Sequence, residues 1–190
     1  MSDDELLPEE RALLLRLARQ AIEDYFETGE KRKIDLNNFS ERLRANGASF
    51  VTLTEHGELR GCVGALEAYQ PLVEDVRDHA IAAAFEDYRF PPLRLEELPE
   101  IEIEISRLTA PQPVSYTDPN DLIKKIRPNI DGVILQDGFR KATFLPQVWE
   151  KLPNPEMFLS HLCQKMGSDP NVWRVKKLKV FTYQVEMFHE

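Results

Sequence analysis

"ASFVTLTEHGELRGCVGAL", Ala48 to Leu66, is the stretch on which the fold turns. Both halves carry the β-branched and apolar residues that suit a pleated surface, and His56-Gly57 falls between them. Glycine accepts the positive φ that a tight hairpin requires, so the segment reads as two strands around a turn. The second strand holds Arg60, Gly61, Cys62 and Gly64 within five residues. Three roles are open to Cys62: reactive thiol, metal ligand, or small buried hydrophobe. Gly61 and Gly64 remove side chains on either side of Cys62-Val63, which leaves room for a close backbone approach or for a ligand. Alternation puts Arg60 and Cys62 on one face, where a guanidinium near the sulfur would lower the thiol pKa.

Before the hairpin, Leu13, Leu14, Leu17, Ala18, Ala21, Ile22 and Tyr25 recur at helical spacing. They predict an amphipathic helix over Pro8 to Phe26, closed by Gly29 and suited to packing on a sheet. Phe39 and Leu43 suggest a short second helix. After the hairpin, Pro71 opens a helix whose apolar face is Leu72, Val76, Ala80, Ala83 and Ala84. "YRFPPLRLEEL" breaks it with two prolines, and "EIEIEISRL" then alternates strictly. Ile101, Ile103 and Ile105 face a core in that reading, and Glu100, Glu102 and Glu104 face water. Pro111 and Pro113 end this strand, and Asp118 or Asp121 caps a short helix. "DGVILQDGFRKATFL" is a second hairpin, Pro155 to Met166 is helical, and "KLKVFTYQVEMFHE" is a closing strand. Helices interleave with antiparallel strands without a βαβ repeat, so the fold class is α+β.

With 190 residues the chain supports one domain, 1–190, with room for two small lobes at most. Its 33 acidic and 24 basic residues give a net charge of −9, which opposes broad nucleic-acid binding and leaves RNA or nucleotide binding to a local patch. No basic-then-apolar leader opens the sequence and no membrane-length apolar run follows, so a cytoplasmic protein is expected. Two cysteines about a hundred residues apart make no disulfide framework and no CxxC pair. Neither they nor His56, His79, His161 and His189 form a close metal-ligand cluster. No metal or cofactor is therefore predicted. The sequence also lacks a phosphate-binding glycine loop and a nucleophile elbow. Cys163, in register with Leu159 and Met166, is assigned to a core. His56 is placed in a solvated turn and His79 on the polar side of its helix. In "FEDYRFPPL", Arg89 either pairs with Asp87 or faces an anionic ligand, with Phe90 as a core or pocket-wall anchor. Trp149 lies in the rigid corner "TFLPQVW".

"FVTL", "LRGCVG", "RFPPL", "DGVIL", "TFLPQVW" and "FLSHLCQKMG" follow one another in order across nearly the whole chain, with a late Trp173 and a closing "VEMFHE". In these motifs the chain resembles the AMMECR1 domain family. It departs from the family pattern at Val63, where isoleucine is frequent, at Tyr88, where proline is common, and at Met166, where alanine is frequent. The resemblance implies a compact α+β protein with a larger and a smaller lobe and a cleft onto which the LRGCxG segment opens. Prokaryotic members are often encoded beside, or fused to, Memo-like and radical SAM proteins, which implies these as partners. Two functions stay open at this point. One is an enzyme or enzyme component acting on a small anionic molecule or modified peptide group, with Cys62 reactive and Arg60 and Arg89 steadying the anion. The other is a non-catalytic module that docks such a partner. In either case Arg60, Gly61, Cys62, Gly64 and Arg89 are expected to converge, with Phe90 or Trp149 as an apolar wall.

Overall fold

The computed structural model describes residues 5–190. The acidic opening, Met1 to Asp4, on which the absence of a leader is read, lies outside the described residues. The chain divides into two compact units, Met1–Thr109 with Glu186–Glu190, and Ala110–Val185. Among the described residues, no helix is long and apolar enough to cross a membrane.

In the first unit, α1 (Pro8–Thr28) starts with proline in its first turn, where a missing N–H leaves no bond unmade. It ends at Gly29, whose N–H donates to the Tyr25 carbonyl and whose φ of 68° turns the chain out of the helix. A short α2 (Glu41–Arg44) is capped by the Ser40 hydroxyl. It leads into β1 (Asn46–Glu55) and β2 (Glu58–Gly64), joined through His56 and Gly57 at φ 52° and 80°. Two consecutive positive φ angles define the hairpin turn that matches strand twist. The two-residue β3 (Gln70–Pro71) pairs with β1 and runs into α3 (Leu72–Phe85). Pro71 stands one position earlier than expected, at the N-cap rather than inside the helix.

β4 (Ile101–Leu108) lies beside β1, and the sheet order is β2-β1-β4-β9, with β9 spanning Val185–His189. Val51, Leu53, Ile101, Ile103 and Ile105 are buried with the apolar faces of α1 and α3. Register pairs Thr52 with both Cys62 and Glu104, so these three share the opposite face of the sheet. The expected alternation in β4 holds: the three isoleucines are buried, Glu100 and Glu102 are exposed and Glu104 is half-buried.

The second unit carries β5 (Gln112–Pro113), α4 (Pro119–Lys125), β6 (Gly132–Asp137), β7 (Arg140–Phe144), α5 (Pro155–Lys165), α6 (Val172–Val175) and β8 (Lys179–Tyr183). Its sheet order is β5-β8-β6-β7. Pro113, expected only to terminate a strand, sits in the edge strand β5, where a residue without an N–H is tolerated. Asp118 caps α4, its carboxylate accepting from the N–H groups of Asn120 and Asp121. Trp149 stacks on Phe158 at 3.6 Å, and both belong to a core that includes Leu159, Leu162 and Cys163.

The closing stretch corrects the sequence reading. It is two strands rather than one, interrupted at Gln184. β8 completes the second unit's sheet and β9 lies beside β4 in the first. Burial does not alternate strictly through the break: Val180 and Tyr183 are buried in β8 and Phe188 in β9.

Candidate functional site

β2 is the edge strand of the first sheet, so its outer N–H and C=O groups need partners from elsewhere. At Cys62 a single ion pair supplies both. The Cys62 N–H donates to Asp87 Oδ2 at 2.9 Å, and Arg89 Nη2 donates to the Cys62 carbonyl at 3.1 Å. Asp87 and Arg89 are joined through Nη2 to Oδ2 at 2.7 Å and Nε to Oδ1 at 2.9 Å. The carboxylate and guanidinium thus stand where a neighbouring strand would be. The Arg89 hydrogen bond is the first reason that the Asp87 carboxyl is held far below the usual carboxylate range. The same bond raises Arg89 above its ordinary value. Of the two readings of "FEDYRFPPL", the pairing of Arg89 with Asp87 is the one seen. The Arg89 side chain is 43% exposed and Nη1 makes no bond among the described residues.

The Cys62 side chain is half-buried, and Thr52 Oγ1 donates to its sulfur at 3.3 Å. Thr52 is a contact that sequence reading missed, although cross-strand register in the hairpin places it directly opposite. Glu104 follows Thr52 in the same row of the sheet.

Arg60 has another task. The pairing shifts between Leu53–Gly61 and Thr54–Leu59, leaving Arg60 as the extra residue of a β-bulge. The bulge re-aims its side chain, which is 9% exposed as a residue. Arg60 Nε donates to Glu97 Oε1 at 2.9 Å, Nη1 to the Pro91 carbonyl at 3.0 Å and Nη2 to the Pro92 carbonyl at 3.4 Å. All three guanidinium nitrogens are engaged in fixing the proline loop. The Glu97 carboxyl is lowered to about 2, chiefly by the Arg60 hydrogen bond. Strict alternation would have kept Arg60 beside Cys62, and the bulge removes that premise.

The glycines serve packing. A Cβ on Gly61 would sit 2.1 Å from the Ala83 carbonyl oxygen, so glycine lets α3 lie directly on β2. A Cβ on Gly64 would meet the Phe50 ring at 2.4 Å and the Ser49 carbonyl at 2.5 Å. Backbone and ring fill the room expected for a ligand there. Phe90 is half-buried with the Arg89 guanidinium 5.5 Å from its ring centre. Trp149 is fully buried in the core of the second unit, where Nε1 donates to the Asp131 carbonyl at 2.8 Å. With no exposed surface, its ring presents no face to an open cleft.

His79 is a further correction. It is 8% exposed rather than on a polar helix side, with Nδ1 3.1 Å from Asp75 Oδ2. Asp75 also accepts from the Ser49 N–H and hydroxyl, so a buried carboxylate satisfies both strand and helix. His56 is exposed in its turn as expected. Among the described residues, no three His, Cys, Asp or Glu side chains are placed to hold a metal ion.

A helix-covered antiparallel sheet presenting a cysteine from its edge strand, with a second α+β unit, defines the structural class. The chain belongs to the AMMECR1 family, whose pattern matches residues 15–188. A protein of Thermofilum pendens is 40% identical over 97% of this chain and 92% of its own length. MJ0810 of Methanocaldococcus jannaschii is 35% identical over 96% of this chain and 90% of its own. The crystal structure of PH0010 from Pyrococcus horikoshii superposes with a TM-score of 0.72 at 36% identity, covering 94% of this chain and 90% of that one.

Proposed function

We propose that the protein is an enzyme, or an enzyme component, that acts through the Cys62 thiol on a small molecule or modified peptide group, with Arg89 Nη1 receiving an anionic or hydrogen-bond-accepting part of it. The reading is carried by the way the main chain of Cys62 is held. Asp87 and Arg89 bond its N–H and C=O, Thr52 donates to the sulfur, and the residue is half-buried. A rigid backbone under a reachable thiol positions a reacting group at little ordering cost. Arg60, Glu97 and the proline carbonyls support this arrangement by fixing the loop that carries Arg89. Both cysteines are free thiols, which fits a reducing, cytoplasmic setting.

The deciding experiment compares Cys62→Ser with the unaltered protein in the presence of Memo-like and radical SAM partners, following complex formation and small-molecule turnover together. Turnover falling at least about a hundredfold with the complex intact is the expected result. Loss of the complex with the fold retained assigns Cys62 to docking. Unchanged behaviour in both removes it from the site.

The docking reading has one observation of its own. Leu59, Leu66, Tyr69 and Tyr88, which come from the two segments that build the Cys62 site, are 42%, 38%, 64% and 95% exposed. Large apolar side chains left in water beside a site suit a protein partner.

A further inference from the structure

β2 pairs with β1 along one edge, and the Asp87–Arg89 ion pair covers its other edge at Cys62. In an antiparallel pair, successive residues turn their N–H and C=O groups alternately toward the neighbouring strand and away from it. The bonds to Asp87 and Arg89 show that both main-chain groups of Cys62 turn away from β1. Ala65, three residues on, turns inward, its N–H donating to the Ser49 carbonyl at 3.0 Å. Gly64 belongs to the outward set with Cys62, since the register runs unbroken from Thr52–Cys62 to Phe50–Gly64.

Among the described residues, no hydrogen bond reaches the outward N–H or C=O of Gly64. These groups point within the plane of the sheet, whereas the Phe50 ring packs over the position that a Cβ would take. Gly64 is half-buried, and large apolar side chains are exposed on the chain to either side of this edge. Leu66 follows Gly64 by two residues, and Tyr88 stands between Asp87 and Arg89 on the loop that covers Cys62. An edge strand with one position covered and the next one open is half of a strand-pairing site.

We infer that the open edge of β2 at Gly64 takes an extended peptide with apolar side chains, added as a short strand. One peptide residue donates its N–H to the Gly64 carbonyl and accepts the Gly64 N–H at its own carbonyl. Neighbouring apolar side chains of the peptide lie against Leu66 and Tyr88. Main-chain pairing at a sheet edge is a general way to hold an extended peptide. The Asp87–Arg89 pair already occupies the next outward position, so it sets where the added strand stops. Outward positions on one edge are two residues, about 7 Å, apart, which brings the bound segment beside Cys62. What becomes of the peptide rests on the thiol chemistry proposed for Cys62, and the substrate class narrows to a group carried on an extended peptide.

Two probes test this in the full-length protein by two-dimensional NMR: the capped tripeptide acetyl-Val-Thr-Leu-amide, and the same peptide N-methylated at all three residues. Saturable binding of the first in the millimolar range or tighter is expected, with the Gly64 amide signal moving and its hydrogen exchange slowing in step with occupancy. The second keeps the side chains but has no residue N–H to donate, and should bind at least about fivefold more weakly. Leu66→Ser combined with Tyr88→Ser, with folding checked by an unchanged melting curve, should weaken the first peptide by about threefold to tenfold. Equal affinity for the two peptides, a Gly64 amide that neither moves nor slows, undiminished binding by the double variant, or no saturable binding would each overturn the inference. The readout does not pass through the sulfur. A Cys62 inert to alkylation with the peptide seated at Gly64 would end the thiol reading and leave the peptide site standing. A reactive Cys62 with no response at Gly64 would end the peptide site alone.

Discussion

Cys62 and Cys163 are the same residue placed in opposite surroundings, one in each unit. Cys163 lies on α5 with no exposed surface, among Leu159, Leu162 and Trp173, and burial pushes its thiol pKa up. Desolvation penalises the thiolate there, so the sulfur behaves as a small hydrophobe. Cys62 is a half-buried residue on an edge strand, with its backbone polar groups held by Asp87 and Arg89 and its sulfur bonded by Thr52. The contrast shows that strand position and edge protection, rather than the cysteine itself, separate a packing residue from a candidate reacting group. Helix interiors satisfy their own backbone groups, whereas an edge strand must recruit partners, and recruitment here places an arginine beside the thiol.

The largest expected effect compares the two thiols directly. Iodoacetamide should label Cys62 in the native protein and leave Cys163 protected by roughly a thousandfold or more, since reaching Cys163 requires opening the core. Peptide mass spectrometry after timed labelling would read both sites at once. Equal labelling would erase the distinction, and a native Cys62 as inert as Cys163 would remove the thiol from the proposed function.

Core truncation should next show that both units depend on tight packing. Ile103→Ala in the first unit and Leu162→Ala in the second each delete a fully buried side chain. Each should lower stability in urea melts by about 2–4 kcal/mol, from lost transfer energy plus the cavity left behind. A loss under about half a kilocalorie at either position would mean that its surroundings collapse to fill the space.

A smaller effect tests the loop beneath the site. The folded Glu97 carboxyl titrates at about 2, against an ordinary value of 4.5, chiefly because Arg60 donates to it. The depressed value means that the unfolded chain binds this proton first as pH falls. Stability from the Arg60–Glu97 contact is therefore present at neutral pH and lost between about 4.5 and about 2. Glu97→Gln should lower stability at pH 7 by about 1–3 kcal/mol, reduced toward the lower figure by solvent near the pair. It should also flatten the acid limb of the stability curve over that window. Parallel curves for the two proteins below pH 4.5 would show that the contact carries no such linkage.

The smallest effect comes from the second unit's hairpin. Phe139 is fully exposed at the tip, beside Gly138 at φ 60°. Phe139→Ser should change stability by less than about 0.5 kcal/mol. A larger loss in a melting curve would point to a packing role at the tip that its exposure does not suggest.

Where local chemistry and the final environment agree, the sequence alone determined the result. Ile101, Ile103 and Ile105 alternate with glutamates, so only one face of β4 can be buried. His56-Gly57 makes the first hairpin, Gly29 ends α1, and Cys163 falls on an apolar helix face. The motifs also carry the family resemblance, and they single out Cys62 and Arg89. Only the tertiary structure decided where their partners lie. A one-residue bulge turns Arg60 toward Glu97, a helix carbonyl fills the space above Gly61, and stacking seals Trp149 beneath Phe158. Gln184 divides the closing stretch between two sheets. Periodicity records that a side chain must be buried or exposed, because that depends on local geometry. It does not record which distant element covers it, because burial against any apolar neighbour satisfies the same pattern.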